Sequence, residues 1–192
     1  MALLSFGADS GEDTNVVELL RKDHEKVKML FREFESAEEA NEKQHIVRQA
    51  ITELEIHASA EEKIFYPAVR EDWPDAAPHL DESFEEHHVM KFLISELRNM
   101  SPTDERFDAK FTVLAENVKH HIKEEEAELF ARARAGRLEL AKLGTQLIKA
   151  KASFRSQLKK NVKKTTPKRK PIARSASFKK QTAKKAKKRT AA

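Results

Sequence analysis

Two segments of the 192-residue chain place an acid one helical turn after a histidine: His57 leads Glu61, and His121 leads Glu125. Residues four apart share a helix face, so each pair can offer an imidazole nitrogen and a carboxylate oxygen to one centre. Two further histidines, His24 and His87, lie in apolar runs with matching offsets: Val27, Leu30, Phe31 and Phe34 follow the first, and Met90, Leu93, Ile94 and Leu97 follow the second. The paired segments match as well, with Glu61-Glu62 and Phe65 after His57, and Glu125-Glu126 and Leu129 after His121. The single histidines are 63 residues apart and the paired ones 64. The chain therefore reads as a duplicated helix pair with a pseudo-two-fold site.

All six residues occupy seam positions that neighbouring turns fill with Leu, Ile, Val and Phe. An unpaired buried polar group costs about 1–3 kcal/mol, and a buried carboxylate more, so six together demand compensation. Cations supply it. The chain has no cysteine, which excludes thiolate sites and disulfides and leaves His, Asp and Glu as donors. Four imidazoles and two carboxylates suit a pair of Fe, Mn or Zn ions with open positions. A single histidine on an apolar face is more often a core residue than a ligand; four with matched acids favour metal. The competing register pairs His120 with Glu124. His88 and His120 lie about 100° round the helix from the chosen ligands and read as flanking groups, and His45 and His79 as surface residues. Glu62 either orients a ligand or is solvated, and Glu126 is read as solvated. The seam phenylalanines are core packing that also keeps bulk water from the metal positions.

The elements that must carry these residues are helices. Asp13, Thr14 and Asn15 offer N-cap oxygens before a run through Val17, Leu20, His24, Val27, Phe31 and Phe34, which predicts a helix over about 14–37. Val47, Ala50, Leu54, His57, Glu61, Ile64 and Ala68 predict a second over about 40–70, closed by Pro67 and Trp73-Pro74. Leu80, Phe84, His87, Met90, Ile94 and Leu97 form a third run before Ser101-Pro102, and Phe107 through Leu129 a fourth before Gly136. Four amphipathic helices with short connections imply an all-α, up-down-up-down four-helix bundle. The domains are then an arm over 1–13, the bundle over 14–136, an additional helix over 137–160 marked by Leu140, Leu143, Leu147, Phe154 and Leu158, and a disordered Lys/Arg-rich tail over 161–192.

The net charge of +5 hides two opposite halves. Glu139 is the last acid; residues 1–139 hold all 32 acids against 18 bases, and residues 140–192 hold 19 bases. Fifteen Lys or Arg within 159–192 can neutralise several phosphates, giving salt-dependent, sequence-independent binding to nucleic acid. Lys pairs alternating with Ala, Thr and Pro make this segment similar to the tails of linker-histone-like proteins. Phe178 is its one aromatic residue, so base stacking contributes little. No apolar run approaches the roughly 20 residues of a membrane helix, and Met1 to Ser10 is not a signal peptide. A cytoplasmic protein without membrane partners, nucleoid- or chromatin-associated through its tail, is the expectation.

The segment from His57 to Pro67, its partner from His121 to Phe130, and Glu86-His87 resemble the hemerythrin-like cation-binding, or HHE, family over about residues 14–135. The resemblance implies a non-haem centre of two iron ions in a four-helix bundle, with His24, His57, His87 and His121 as terminal ligands and Glu61 and Glu125 as bridges. Oxygen-carrying hemerythrins have a His-x-x-x-His pair in the third helix, where this chain has Ser83 and Lys91 beside His87. That difference favours redox reaction or sensing over reversible oxygen storage. Ala131 replaces the proline of the first motif, with an effect expected on the helix end. The function expected is a di-iron protein that binds, senses or reacts with oxygen, nitric oxide or peroxide, with a tail for nucleic acid. The alternative is a DNA-associated packaging or protection protein with the bundle as metal-stabilised scaffold; iron sensing through bundle order is a third reading.

Overall fold

The computed structural model describes the backbone of residues 14–165 and the side chains of residues 14–160. The expected arm over 1–13 and most of the expected tail lie outside the described residues. The chain falls into two units that divide between Leu158 and Lys159, and the fold below is that of the first.

Helix α1 spans Val16–Ser36, capped by the Asn15 side chain, which accepts from the backbone N–H of Val17 at 2.9 Å. Helix α2 spans Ala40–Ala60. It does not end there: a π-helical turn, Glu61–Phe65, leads into α3, Tyr66–Asp72. Pro67 thus does not close the second helix. It sits in the first turn of α3, and the wider turn before it carries the backbone past a residue that cannot donate, with Tyr66 N–H bonding Glu61 O. The chain stops at Trp73, whose φ and ψ of −136° and 83° are not helical. A 3-10 turn, Pro74–Ala76, starts α4, Ala77–Leu97. Helix α5, Phe107–Ala127, is separated from α6, Leu129–Ala135, by a break at Glu128. The fifth long helix, α7, spans Leu140–Thr165, beginning three residues later than expected and running five further. No strand occurs among the described residues.

Helix α1 packs along α2 and α4 along α5, while α1–α5 and α2–α4 contacts close the up-down-up-down bundle. Its core has two apolar blocks. One holds Val27, Phe31, Phe34, Leu54, Ile94, Phe111 and Val118; the other holds Leu20, Phe65, Tyr66, Leu80, Leu129, Phe130 and Leu147. The residue Leu147 is fully buried and comes from α7, so that helix leans on the second block. A Cβ on Gly144 would collide with the carbonyl oxygen of Thr14, so only glycine lets α7 approach this closely. Between the two blocks lies a polar layer.

Candidate metal centre

That layer consists of the six residues singled out by spacing. His24 lies between Leu20 and Val27 on α1, His57 between Leu54 and Ala60 on α2, His87 between Leu80 and Met90 on α4, and His121 between Val118 and Leu129 on the α5 side, so each helix changes from one apolar block to the other at its histidine. Glu61 opens the π-turn and Glu125 lies in the last turn of α5. None of the six is more than 6% exposed. His120 and Glu124 pair with each other at 3.2 Å on the surface, with the histidine side chain 62% exposed; the inward register is that of His121 and Glu125. His88, His45 and His79 are not in the layer.

The side chains converge on two adjoining points. Potential ligand atoms of His24, His57, Glu61 and Glu125 lie within 4.8 Å of one another, as do those of Glu61, His87 and His121. Glu61 belongs to both groups: Oε1 is 2.8 Å from His57 Nε2 and Oε2 is 3.4 Å from His87 Nε2. Glu125 Oε2 is 3.2 Å from His24 Nε2, and Glu125 belongs to the first group alone.

Every ring is held from behind by an acid at Nδ1. His24 bonds Glu126 at 2.9 Å, His57 bonds Asp23 at 3.2 Å, His87 bonds Glu62 at 2.9 Å and His121 bonds Glu86 at 2.6 Å. A carboxylate only accepts, so Nδ1 carries a proton and Nε2 is the atom turned inward, free to donate its lone pair once it holds no proton. Each helix supplies the acid for the next one's histidine. Asp23 on α1 serves α2, Glu62 serves α4, Glu86 on α4 serves α5, and Glu126 on α5 returns to α1. The reading of Glu126 as merely solvated is therefore corrected: it reaches His24 across the bundle because the α1–α5 contact places the two side by side. Burial opposes the charge on each of these acids, yet the facing histidines hold all four below the ordinary carboxylate range, with help from Lys151 at Asp23 and Lys91 at Glu62.

The inner atoms show what the layer lacks from protein alone. Both oxygens of Glu61 and of Glu125, Nε2 of His121 and the Tyr66 hydroxyl are buried with no hydrogen bond of acceptable geometry. The 2.8 Å approach of His57 to Glu61 is thus a close contact of like-aimed ligand atoms more than a directed bond. His24 Nε2 and His57 Nε2 are 3.1 Å apart; two inward lone pairs that close need a proton or a cation between them. Burial disfavours a charge on His57, but Glu61 and Asp23 outweigh it and lift its pKa to about 10; His87, similarly opposed by burial, is raised to about 8 by Glu61 and Glu62. Glu61 is held well below its ordinary value by the same two histidines against the effect of burial. Imidazole nitrogens and carboxylate oxygens focused on one layer fit divalent cations, which would displace the extra imidazole protons.

Aromatic rings wall the layer. His24 stacks on Phe130 at 5.4 Å and 4°, and His87 on Tyr66 at 5.6 Å and 25°. The two aromatics hold equivalent places nine residues after His121 and His57, so the Tyr66 hydroxyl breaks the two-fold. Burial, with Glu125 and Glu61 nearby, keeps that phenol protonated well above its ordinary range. Spacing arguments missed Tyr66, Asp23 and Glu86 as members of the site. The signal was present for the acids, since Asp23-His24 and Glu86-His87 repeat just as Glu61-Glu62 and Glu125-Glu126 do. Ser83 donates to the His79 carbonyl at 2.9 Å, and Lys91 turns outward to Glu62.

A helical bundle with such a layer defines a cation-binding four-helix protein. The chain belongs to the hemerythrin HHE cation binding domain family, which it matches over residues 15–133. It is similar to a DNA nickase from Nostoc sp. (strain PCC 7120 / SAG 25.82 / UTEX 2576), with 33% identity over 128 residues, 67% of this chain and 36% of that protein. The chain thus spans little more than a third of the curated relative it matches. The crystal structure of a hemerythrin HHE cation binding domain-containing protein from Mycobacterium kansasii superposes with a TM-score of 0.69 at 20% identity, covering 79% of this chain and 93% of that one. At that identity the likeness speaks for the fold. No described helix is long and apolar enough to cross a membrane.

Proposed function

We propose that the layer holds two iron ions, with His24, His57, His87 and His121 as terminal ligands, Glu61 as the carboxylate shared by the two groups and Glu125, expected from the sequence as a second bridge, as a ligand of the first group, and that the protein binds, senses or reacts with oxygen, nitric oxide or peroxide. The observation that carries this reading is Glu61, whose two buried oxygens face histidines of the two separate groups. A pair of irons bound there would supply redox electrons and open coordination positions for a small ligand. The chain's own residues do the rest. Asp23, Glu62, Glu86 and Glu126 keep the Nδ1 protons in place and the Nε2 atoms free to donate. Phe130, Phe65 and the Tyr66 ring exclude bulk water, and Tyr66 keeps a proton at its hydroxyl on one side of the site alone. The test is elemental analysis with visible spectroscopy, prepared with and without oxygen. Two irons per chain with bands that respond to oxygen or nitric oxide are expected; a His57→Ala, Glu61→Ala chain that keeps both metals would overturn the assignment.

A second reading places the work on DNA, as packaging or protection with the bundle as scaffold, in the cytoplasm and at the nucleoid or chromatin. Two observations support it: the fifteen Lys or Arg of residues 159–192, and the relative named a DNA nickase. Deleting 159–192 separates the readings. Metal spectra unchanged but DNA binding and shielding lost is the expected result, and equal DNA binding without those residues would remove the tail from the account. Conversion of supercoiled plasmid to open circles by the metal-loaded chain tests whether nicking is shared.

A further inference from the structure

Three of the four acids behind the histidines are faced on their outer side by a lysine. Asp23 is held by Lys151 at 2.5 Å, Glu62 pairs with Lys91, and Glu126 has Lys28 at 3.5 Å. Glu86 differs: among the described residues no Lys or Arg pairs with it. Instead, ligand atoms of Glu86, His120 and Glu124 lie within 4.8 Å of one another. Glu86 and Glu124 of this group line a narrow cleft between α4 and α5, about 20 Å³ in volume, room for one water or one ion, and His120 stands beside them outside its lining. Glu82 and Glu128 also line the cleft, no Lys or Arg does, and Glu125 is part of its lining. That residue is 2% exposed and neither of its oxygens is hydrogen-bonded. The cleft therefore joins Glu86 and Glu124, the carboxylates of the outer group, to a residue of the buried layer.

We propose that Glu86, His120 and Glu124 form an outer, weak divalent-cation site through which metal enters the buried centre, with Glu125 as the inner acceptor. The proposal rests on the buried layer being a metal centre. Three features of the outer group suit transit more than residence. It is open to water, with side-chain exposures of 62% at His120 and 46% at Glu124, so a bound ion keeps most of its hydration. Its wall carries five glutamates and no Lys or Arg beside His79, Ser83 and Leu129, which concentrates cations at the mouth. And Glu86 spends one oxygen on His121 Nδ1 at 2.6 Å, so the other is what it can offer an incoming ion. The ion exchanges water and the outer donors for Glu125 and then the imidazoles; no bond other than metal–ligand bonds changes and no electron moves. The three lysine-faced acids offer no equivalent route, because a cation approaching Asp23, Glu62 or Glu126 meets a paired ammonium first.

The experiment mixes metal-free full-length chain with Co²⁺ and follows the visible bands of the ion in time, then measures cobalt per chain after dialysis. A His120→Ala, Glu124→Gln chain should load at least about tenfold more slowly, the scale on which a charged cleft raises cation on-rates, while reaching the wild-type stoichiometry and final spectrum. Glu33→Gln, which removes one exposed charge near the α1–α2 turn, should load at the wild-type rate. Loading of the double variant at the wild-type rate overturns the proposal. So does equal slowing by Glu33→Gln, which would make net charge the cause, and so does a lower final stoichiometry in the double variant, which would put these residues inside the centre itself. A wild-type chain that takes up no cobalt or iron, with its layer intact, would instead overturn the buried centre and the portal with it.

Discussion

A histidine ligand is only as good as the group that fixes its ring, and here each ring has one carboxylate for that task. Replacing Glu126 with Gln, a position 102 residues from the histidine it serves, should lower metal affinity about 10–100-fold, read by competition against a chelator; unchanged affinity would show that His24 needs no such support. The pH behaviour follows from the same atoms. In the metal-free chain His57 is lifted to about 10 and Glu61 is depressed. A raised histidine stabilises fully below its unfolded value near 6.5 and loses that contribution as pH rises through about 10, whereas a depressed glutamate stabilises above its unfolded value and loses the contribution as pH falls through its folded one. Metal must displace the His57 proton, so affinity should rise from pH 6 towards pH 10 with proton release on binding, measured calorimetrically in buffers of different ionisation enthalpy. Heat effects independent of buffer would contradict a protonated His57. Spacing made all six inward residues legible, because a polar residue on an apolar seam has no other common reason to recur. The outer acids were harder to see. Glu126 and Asp23 sit beside the seam, where solvated acids are ordinary, and only the crossing of helices tells which imidazole each one meets.

Four long helices followed from apolar spacing, and their order and antiparallel packing from the short connections. The breaks in them did not. The π-turn at Glu61–Phe65 begins on the acid of the first paired motif and the interruption at Glu128 follows the second, and a repeat of three and four residues runs through both without a visible gap. Such turns cost helical regularity and are retained where a side chain must be re-aimed; here the first begins at Glu61, the residue that serves both groups. The fifth helix was legible as a helix, but its seat depends on Gly144 meeting the Thr14 carbonyl, which no periodicity encodes. Leu147→Ala should destabilise the metal-free chain by about 2–5 kcal/mol, as for other buried Leu truncations, measured by urea denaturation; a loss near zero would mean that α7 is dispensable to the bundle. Gly144→Ala should act in the same direction, through collision in place of a cavity.

At the scale of the whole chain, residues 1–139 carry 14 net negative charges and the remainder 19 positive ones. Binding through the basic segment should therefore weaken steeply with salt, by about 10³–10⁵ between 50 and 200 mM if six to ten phosphates are met, read by fluorescence anisotropy on duplex DNA. Affinity indifferent to salt would refute an electrostatic arm. The circular exchange of acids among four helices has its own consequence for how the protein is made. When the first helix pair leaves the ribosome it contains the Asp23–His57 contact, but the acid for His24 and the histidine for Glu62 have not been synthesised. An ion captured then would meet an unfinished half-cage. The ring closes only when α5 arrives against α1, a contact between distant parts of the chain and slow for that reason. The last event in the birth of the centre is thus a docking of helices, and a chain stalled before residue 126 would expose its metal chemistry to the cell unguarded.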